Sequence, residues 1–206
     1  MIAIIDYGVG NLFSLVSSFQ AIGVEAKLTS DVAEIEAADK ILLPGVGAFG
    51  DASDKLFQSG LAEVVIAQAK KGKAILGICL GMQLLFEKGY EYGEHKGLGL
   101  IQGEIRPIAD VVPAGYKIPH IGWNALSFPK ENELFKYLVP GNHVYFVHSY
   151  YGARCTESVI ATTEYGATLT AAVANGNVYG CQFHPEKSGD VGLKILKAFA
   201  EIGESK

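Results

Sequence analysis

The chain has 206 residues, 49% of them hydrophobic and 19% charged, with 25 glycines. That balance fits one compact, enzyme-like domain over residues 1–206 and excludes a disordered chain. Seventeen Lys and Arg against 22 Asp and Glu leave a formal charge of -5 and no basic stripe to neutralise a run of phosphates, so nucleic acid is not an expected partner.

Residues 2–5 read as a buried first strand, because the apolar run from Met1 is too short for a membrane span and lacks the basic region of a signal peptide. Residues 6–11 read as a turn whose Asn11 caps a helix to about residue 22, with Leu12, Leu15, Val16 and Phe19 on one face. Short strands at 24–28 and 40–43, with a short helix at about 32–37 between them, make an alternating β/α opening. After Pro44-Gly45-Val46-Gly47 come a segment interrupted at Gly60, a helical pattern through Leu61, Val64, Val65 and Ala69, and an apolar strand at 74–78. A helix is expected at 80–87, with Leu84 and Leu85 facing a sheet.

Between 88 and 119 glycine becomes frequent and periodicity weakens, so loops, hairpins or irregular surface are expected there rather than a second domain. Strand-like runs follow at 144–147, 158–163, 169–174 and 178–183, with short connections that suggest antiparallel additions to the parallel sheet. A last helix at about 191–202 presents Ile195, Phe199 and Ile202. The expected fold class is α/β, a three-layer sandwich around a mixed, mainly parallel sheet.

Cys79, Cys155 and Cys181 form neither a CxxC pair nor an even disulfide framework, which favours a reducing, cytoplasmic setting and leaves room for a working thiol. Cys79 lies between a strand and a helix in Gly77-Ile78-Cys79-Leu80-Gly81, the pattern of a nucleophile elbow. A sharp turn there projects the sulfur, the helix start favours a thiolate, and the Leu80 amide faces a developing oxyanion. A cysteine nucleophile needs a base, and there are five histidines: His95, His120, His143, His148 and His184. His184 ends a strand and is followed by Pro185, where a three-layer sheet opens its site; Glu186, two residues on, suits the role of orienting it. Pro44-Gly45-Val46-Gly47 ends the third strand and offers an otherwise free backbone amide as a second oxyanion donor, although an ordinary turn accounts for the same residues.

Competing chemistries are thinner. Gly8-Val9-Gly10 and Gly45-Val46-Gly47 are not complete nucleotide fingerprints, and His143 and His148 lack the spacing of a zinc-binding helix pair. Glu87, Glu91 and Glu94 read more simply as a solvated face than as a glycosidase pair.

Over nearly its full length the chain resembles the class I glutamine amidotransferases, through Gly77-Ile78-Cys79-Leu80-Gly81-Met82-Gln83, Phe183-His184-Pro185-Glu186 and the upstream Pro44-Gly45-Val46-Gly47. Within that family it resembles most the branch serving imidazole glycerol phosphate synthesis, through Asp6-Tyr7-Gly8-Val9-Gly10-Asn11, Pro119-His120-Ile121-Gly122-Trp123-Asn124, Tyr145-Phe146-Val147-His148-Ser149-Tyr150 and His184-Pro185-Glu186-Lys187-Ser188. The resemblance implies a Cys79, His184, Glu186 triad that hydrolyses glutamine to glutamate and ammonia through a cysteine thioester. It implies oxyanion amides at Leu80 and Val46, and glutamine held by Gly47, Gln83, Glu91, Ser149 and Tyr150. Tyr90 departs from the small polar residue that relatives commonly carry before the glutamine-binding glutamate.

The resemblance further implies a TIM-barrel cyclase subunit as partner, taking ammonia through an internal channel, with His120, Trp123, Asn124, Tyr145 and Lys187 on the docking face. No cofactor, metal, nucleic acid or membrane is implied. Two readings stay beside it: the glutaminase of another biosynthetic synthase, and a non-catalytic interaction module of the same fold.

Overall fold

The computed structural model describes residues 1–10 and 12–203. Asn11, expected to cap the first helix, lies outside the described residues. The central sheet has seven strands in the order β11-β12-β13-β4-β3-β1-β2. Its members are β1 (Ile2–Ile5), β2 (Ala26–Thr29), β3 (Lys40–Leu43), β4 (Ala74–Ile78), β11 (Val159–Glu164), β12 (Thr168–Asn175) and β13 (Val178–Cys181). Strands β13, β4, β3, β1 and β2 pair in parallel, whereas β12 is antiparallel to both neighbours. The sheet is therefore mixed and mainly parallel.

Two-residue alternation within these strands feeds two cores. Ala3, Ile5, Ile41, Leu43 and Ile75 pack with Ile35 of α2 (Val32–Ala37), Leu56 of α3 (Phe49–Gln58) and Val65 of α4 (Leu61–Lys70). Ile2, Ile4, Leu42, Leu76 and Ile78 point the other way, to Leu15 and Phe19 of α1 (Leu12–Ala21) and Ile195 and Phe199 of α6 (Gly189–Ala200). Strands lined on both faces in this way read as continuous apolar runs, and each fully buried Ile, Leu or Phe contributes roughly 1.5–3 kcal/mol.

The helix expected at 80–87 is shorter. Helix α5 (Leu80–Leu84) stops because the Leu84 carbonyl accepts the Leu98 amide and the Leu85 carbonyl those of Leu100 and Ile101. The chain then runs as strand β5 (Phe86–Gly89), parallel to β7 (Ile101–Pro107), with Phe86 fully buried. An unbroken Leu84-Leu85-Phe86 run fits either element, and pairing with a later segment decides it. With β6 (His95–Lys96) and β10 (Tyr150–Ala153) these make a second sheet, in the order β10-β7-β5-β6. It occupies part of the segment expected to hold loops, hairpins or irregular surface.

The run at 144–147 does not extend the central sheet as expected. It belongs to β9 (His143–His148), which among the described residues pairs only with β8 (His120–Ala125), in an antiparallel ladder. Among the described residues no helix is long and apolar enough to cross a membrane.

Candidate active site

Strand β4 delivers Cys79 to the C-terminal edge of the parallel strands, where doubly wound sheets open their clefts. The Cys79 amide donates to the Cys181 carbonyl at 2.8 Å, fixing the turn to the end of β13. Cys79 itself has φ 54 and ψ -112, a conformation that costs a non-glycine residue about 1–3 kcal/mol. It is held by close helix packing, in which a Cβ on Gly81 would overlap the Leu43 carbonyl. Gly81→Ala is therefore expected to destabilise the fold by about 1–3 kcal/mol, measured as a lowered denaturant midpoint. An unchanged midpoint would contradict this packing role.

A cleft of about 350 Å³ opens over Cys79. Of the residues expected to hold glutamine or the oxyanion, Val46, Gly47, Leu80, Gln83, Glu91, Ser149 and Tyr150 all line it. The second sheet brings in Glu91 and Tyr150, and the β8–β9 hairpin brings in His148 and Ser149. Glu91 accepts the Phe49 amide at 2.7 Å, which ties its carboxylate to the start of α3. A Cβ on Gly45 would lie 2.8 Å from the Gly81 nitrogen and 3.0 Å from the Leu80 Cβ, so only glycine lets the Val46 loop lean on the elbow.

His184 reaches the cleft, and its Nδ1 meets Glu186 Oε1 at 2.8 Å. The Glu186 side chain is 2% exposed and lies behind the ring rather than lining the cleft. Burial alone would push the His184 pKa down, but hydrogen bonds to Cys79 and Glu186, with their charges, outweigh it and raise the pKa to about 9. His148 also lines the cleft, yet burial pushes it down to about 3, helped by the neighbouring His120 and His184. Of the two cleft histidines, only His184 is suited to carry a proton at neutral pH and give it to a leaving group.

The other thiols have different surroundings. Cys155 meets Thr170 Oγ1 at 3.8 Å, Cys181 is fully buried, and burial pushes both thiols up.

The residues expected on a docking face divide. Trp123 is 53% exposed, packs edge-on against Tyr145, and has Lys187 over that tyrosine ring. Lys187 also borders the cleft. His120 is a correction: it is fully buried, stacked against Phe146 and Tyr165, and cannot meet a partner through its side chain. Its fourth neighbour along β8, Asn124, is only partly buried.

Two site neighbours escaped the sequence reading. Gln182, fully buried, points Nε2 at the Cys79 sulfur from 3.8 Å and accepts Gln83 Nε2 at 3.0 Å. Tyr7 donates to the Pro44 carbonyl at 2.7 Å, bracing the loop ahead of Val46. Gln182 had one available signal, its position two residues before His184. Tyr7 stood only within the resemblance motif at residues 6–11, and no local pattern showed its contact, which spans 37 residues of sequence. Among the described residues no group of three or more His, Cys, Asp or Glu is arranged to hold a metal ion.

Residues 3–201 match the family model described as glutamine amidotransferase class-I. The chain is 48% identical to a Wolinella succinogenes protein named imidazole glycerol phosphate synthase subunit HisH, covering 98% of this chain and all of that one. A Caldanaerobacter subterraneus protein of the same name is 49% identical, with 98% of both chains covered. In fold the chain is similar to a solved structure titled as a glutamine amidotransferase, with TM-score 0.74 and 20% identity over 97% of this chain and 99% of that one. The structure of PurLQS from Thermotoga maritima gives TM-score 0.73 at 19% identity, covering 96% of each.

Proposed function

The chain belongs to the class I glutamine amidotransferase family, and from that premise we propose that it is the glutaminase subunit of imidazole glycerol phosphate synthase, acting in the cytoplasm as one amidotransferase unit in histidine biosynthesis. The observation that carries the reading is that Cys79 and His184 line one cleft, with Glu186 hydrogen-bonded behind the histidine, in a chain that matches subunits of that name along 98% of its length.

In this reading glutamine lies in the cleft with its side-chain amide over Cys79, oriented by Gly47, Gln83, Glu91, Ser149 and Tyr150. The Cys79 thiolate attacks the amide carbon, and the oxyanion is met by the backbone amides of Leu80 and Val46. His184 gives its proton to the departing nitrogen, so that ammonia leaves and a γ-glutamyl thioester remains. Water then attacks the thioester as His184 takes a proton back, releasing glutamate and restoring the thiolate. Glu186 holds Nδ1–H, which turns the other ring nitrogen toward the sulfur.

Ammonia passes to a cyclase subunit with a TIM-barrel fold, docked on the face that carries Trp123, Asn124, Tyr145 and Lys187. An exposed indole packed on a tyrosine that carries a lysine over its ring suits such an anchor. Co-purification with that cyclase, followed by product identification, tests the assignment. Imidazole glycerol phosphate formed with glutamine as nitrogen donor is the expected result. A complex that forms but makes product only from ammonia would contradict it, and a synthase of another pathway as the sole partner would favour the alternative reading.

The protonation of His184 gives a second check. Glutamine hydrolysis by the complex is expected to fall as pH rises through about 9, because the ring loses the proton it donates. Glu186→Gln removes one of the contacts that raise this pKa, so the alkaline limb of kcat/KM should move to lower pH. Steady-state glutamate release across pH measures it, and a limb unmoved by the substitution would remove Glu186 from this role.

A further inference from the structure

His120 and His148 lie outside the chemistry above, yet they join the exposed side of the β8–β9 hairpin to the cleft by one line of hydrogen bonds. Asn124 Nδ2 donates to the Glu164 carbonyl at 3.1 Å, and Asn124 Oδ1 faces His120 Nε2 at 2.8 Å. His120 Nδ1 meets His148 Nε2 at 3.0 Å, and His148 Nδ1 meets the Tyr150 carbonyl at 2.8 Å. That same carbonyl lies 3.4 Å from Gln83 Nε2.

Both ends of this line are oxygen acceptors. Satisfying them requires a proton on His120 Nε2 and another on His148 Nδ1, which leaves the contact between the two rings with none. All the ring contacts are made only if the pair carries three ring protons and a net positive charge. Burial opposes that charge, as the rings are 0% and 5% exposed, and the protonated His184 nearby opposes it further.

A neutral pair therefore leaves one gap, and the Asn124 amide decides where it falls. With the Asn124 oxygen toward His120, the proton stays on Nε2 and the gap lies between the rings or at the Tyr150 carbonyl. With the amide nitrogen toward His120, Nδ1 of each ring is protonated and both contacts of His148 are made. The flip gives up the Asn124 bond to the Glu164 carbonyl and sets two oxygens face to face there, which opposes it in the free chain until an incoming donor bridges them.

We propose that His120 and His148 form a tautomer relay, positioning residues through which the orientation of the Asn124 amide decides whether His148 holds the Tyr150 carbonyl in the glutamine cleft. The proposal rests on the reading that Asn124 lies on the cyclase-docking face, where docking supplies the donor that turns the amide.

The test is 15N-imidazole NMR of the chain alone, of the chain with the cyclase subunit, and of the Asn124→Leu and Asn124→Asp chains, with binding scored first by calorimetry. In the free wild-type chain His120 is expected to be protonated at Nε2. On docking, and in Asn124→Leu, which offers no acceptor, the proton should move to Nδ1. Asn124→Asp, an acceptor only, should keep Nε2 protonated even in the complex. An unchanged His120 tautomer on docking or in Asn124→Leu overturns the relay, as do three ring protons on the wild-type pair. Failure to bind the cyclase would sink the functional reading instead, and the free-chain samples would still decide the relay. Should the leucine chain fail to fold, docking of the wild type and the aspartate variant decide it.

Discussion

Cys79→Ala is expected to lower glutamine-dependent product formation by the complex on the order of 10⁴-fold or more, while ammonia-dependent formation stays near wild type. The loss is large because neither of the other cysteines can take over. Cys155 and Cys181 are buried with thiols pushed up by that burial, and neither lines the cleft. The alanine leaves the cyclase chemistry untouched, and Cys79 as a residue is only 8% exposed, so little surface changes for a docked partner. Steady-state product measured with each nitrogen donor separates the two activities. Substantial glutamine-dependent turnover in the alanine variant would remove Cys79 from the nucleophile's role.

The sequence carried the parallel core well, for a physical reason. Strands such as Lys40–Leu43 and Ala74–Ile78 are buried on both faces and stand out as short apolar runs that end at Pro44-Gly45 and at Cys79. Cys79 and the His184, Glu186 pair were legible for another reason: each lies where a run stops, and their chemistry is specific to residue type. The second sheet was not legible. Its strand Ile101–Pro107 alternates imperfectly, with Gly103 and Glu104 both buried, and Phe86–Gly89 is a strand only because Ile101–Pro107 pairs with it. His120 was placed on the docking face by the resemblance alone, through the motif at residues 119–124. Alternation along β8 turns its ring inward, between Phe146 and Tyr165. Gln182 makes its contact with Cys79 across 103 positions, which no local pattern reveals.

The second large effect concerns the isolated chain, which is expected to be a poor glutaminase that becomes competent when the cyclase, with acceptor ligand bound, turns the Gly45-Val46 peptide toward the glutamine oxyanion. Val46 is 40% exposed at the cleft mouth, and Gly47 beside it has φ 99, so this loop can reorient without disturbing the elbow beneath. Tyr7 anchors the loop one residue before Gly45, through the Pro44 carbonyl, which confines the change to the Gly45-Val46-Gly47 segment. Loss of one oxyanion donor costs about 10²–10³ in turnover, roughly 3–4 kcal/mol, so a single misdirected amide is a sufficient gate with Cys79, His184 and Glu186 all in place. Glutamate release at saturating glutamine is expected to rise by about that factor from chain alone to cyclase complex with a non-reacting acceptor analogue. Equal turnover in the chain alone, with cyclase, and with cyclase plus analogue would overturn the gate while leaving the nucleophile's role standing.

The central claim is that ammonia made at Cys79 is handed to the cyclase rather than released. Its most direct test supplies the complex with glutamine labelled with 15N in the side-chain amide, in a bath of excess unlabelled ammonium at a pH where free ammonia is scarce. The account predicts imidazole glycerol phosphate carrying the label in its ring, at a fraction far above that of the bath. Product with the isotopic composition of the bath, despite continuing release of glutamate, would contradict it.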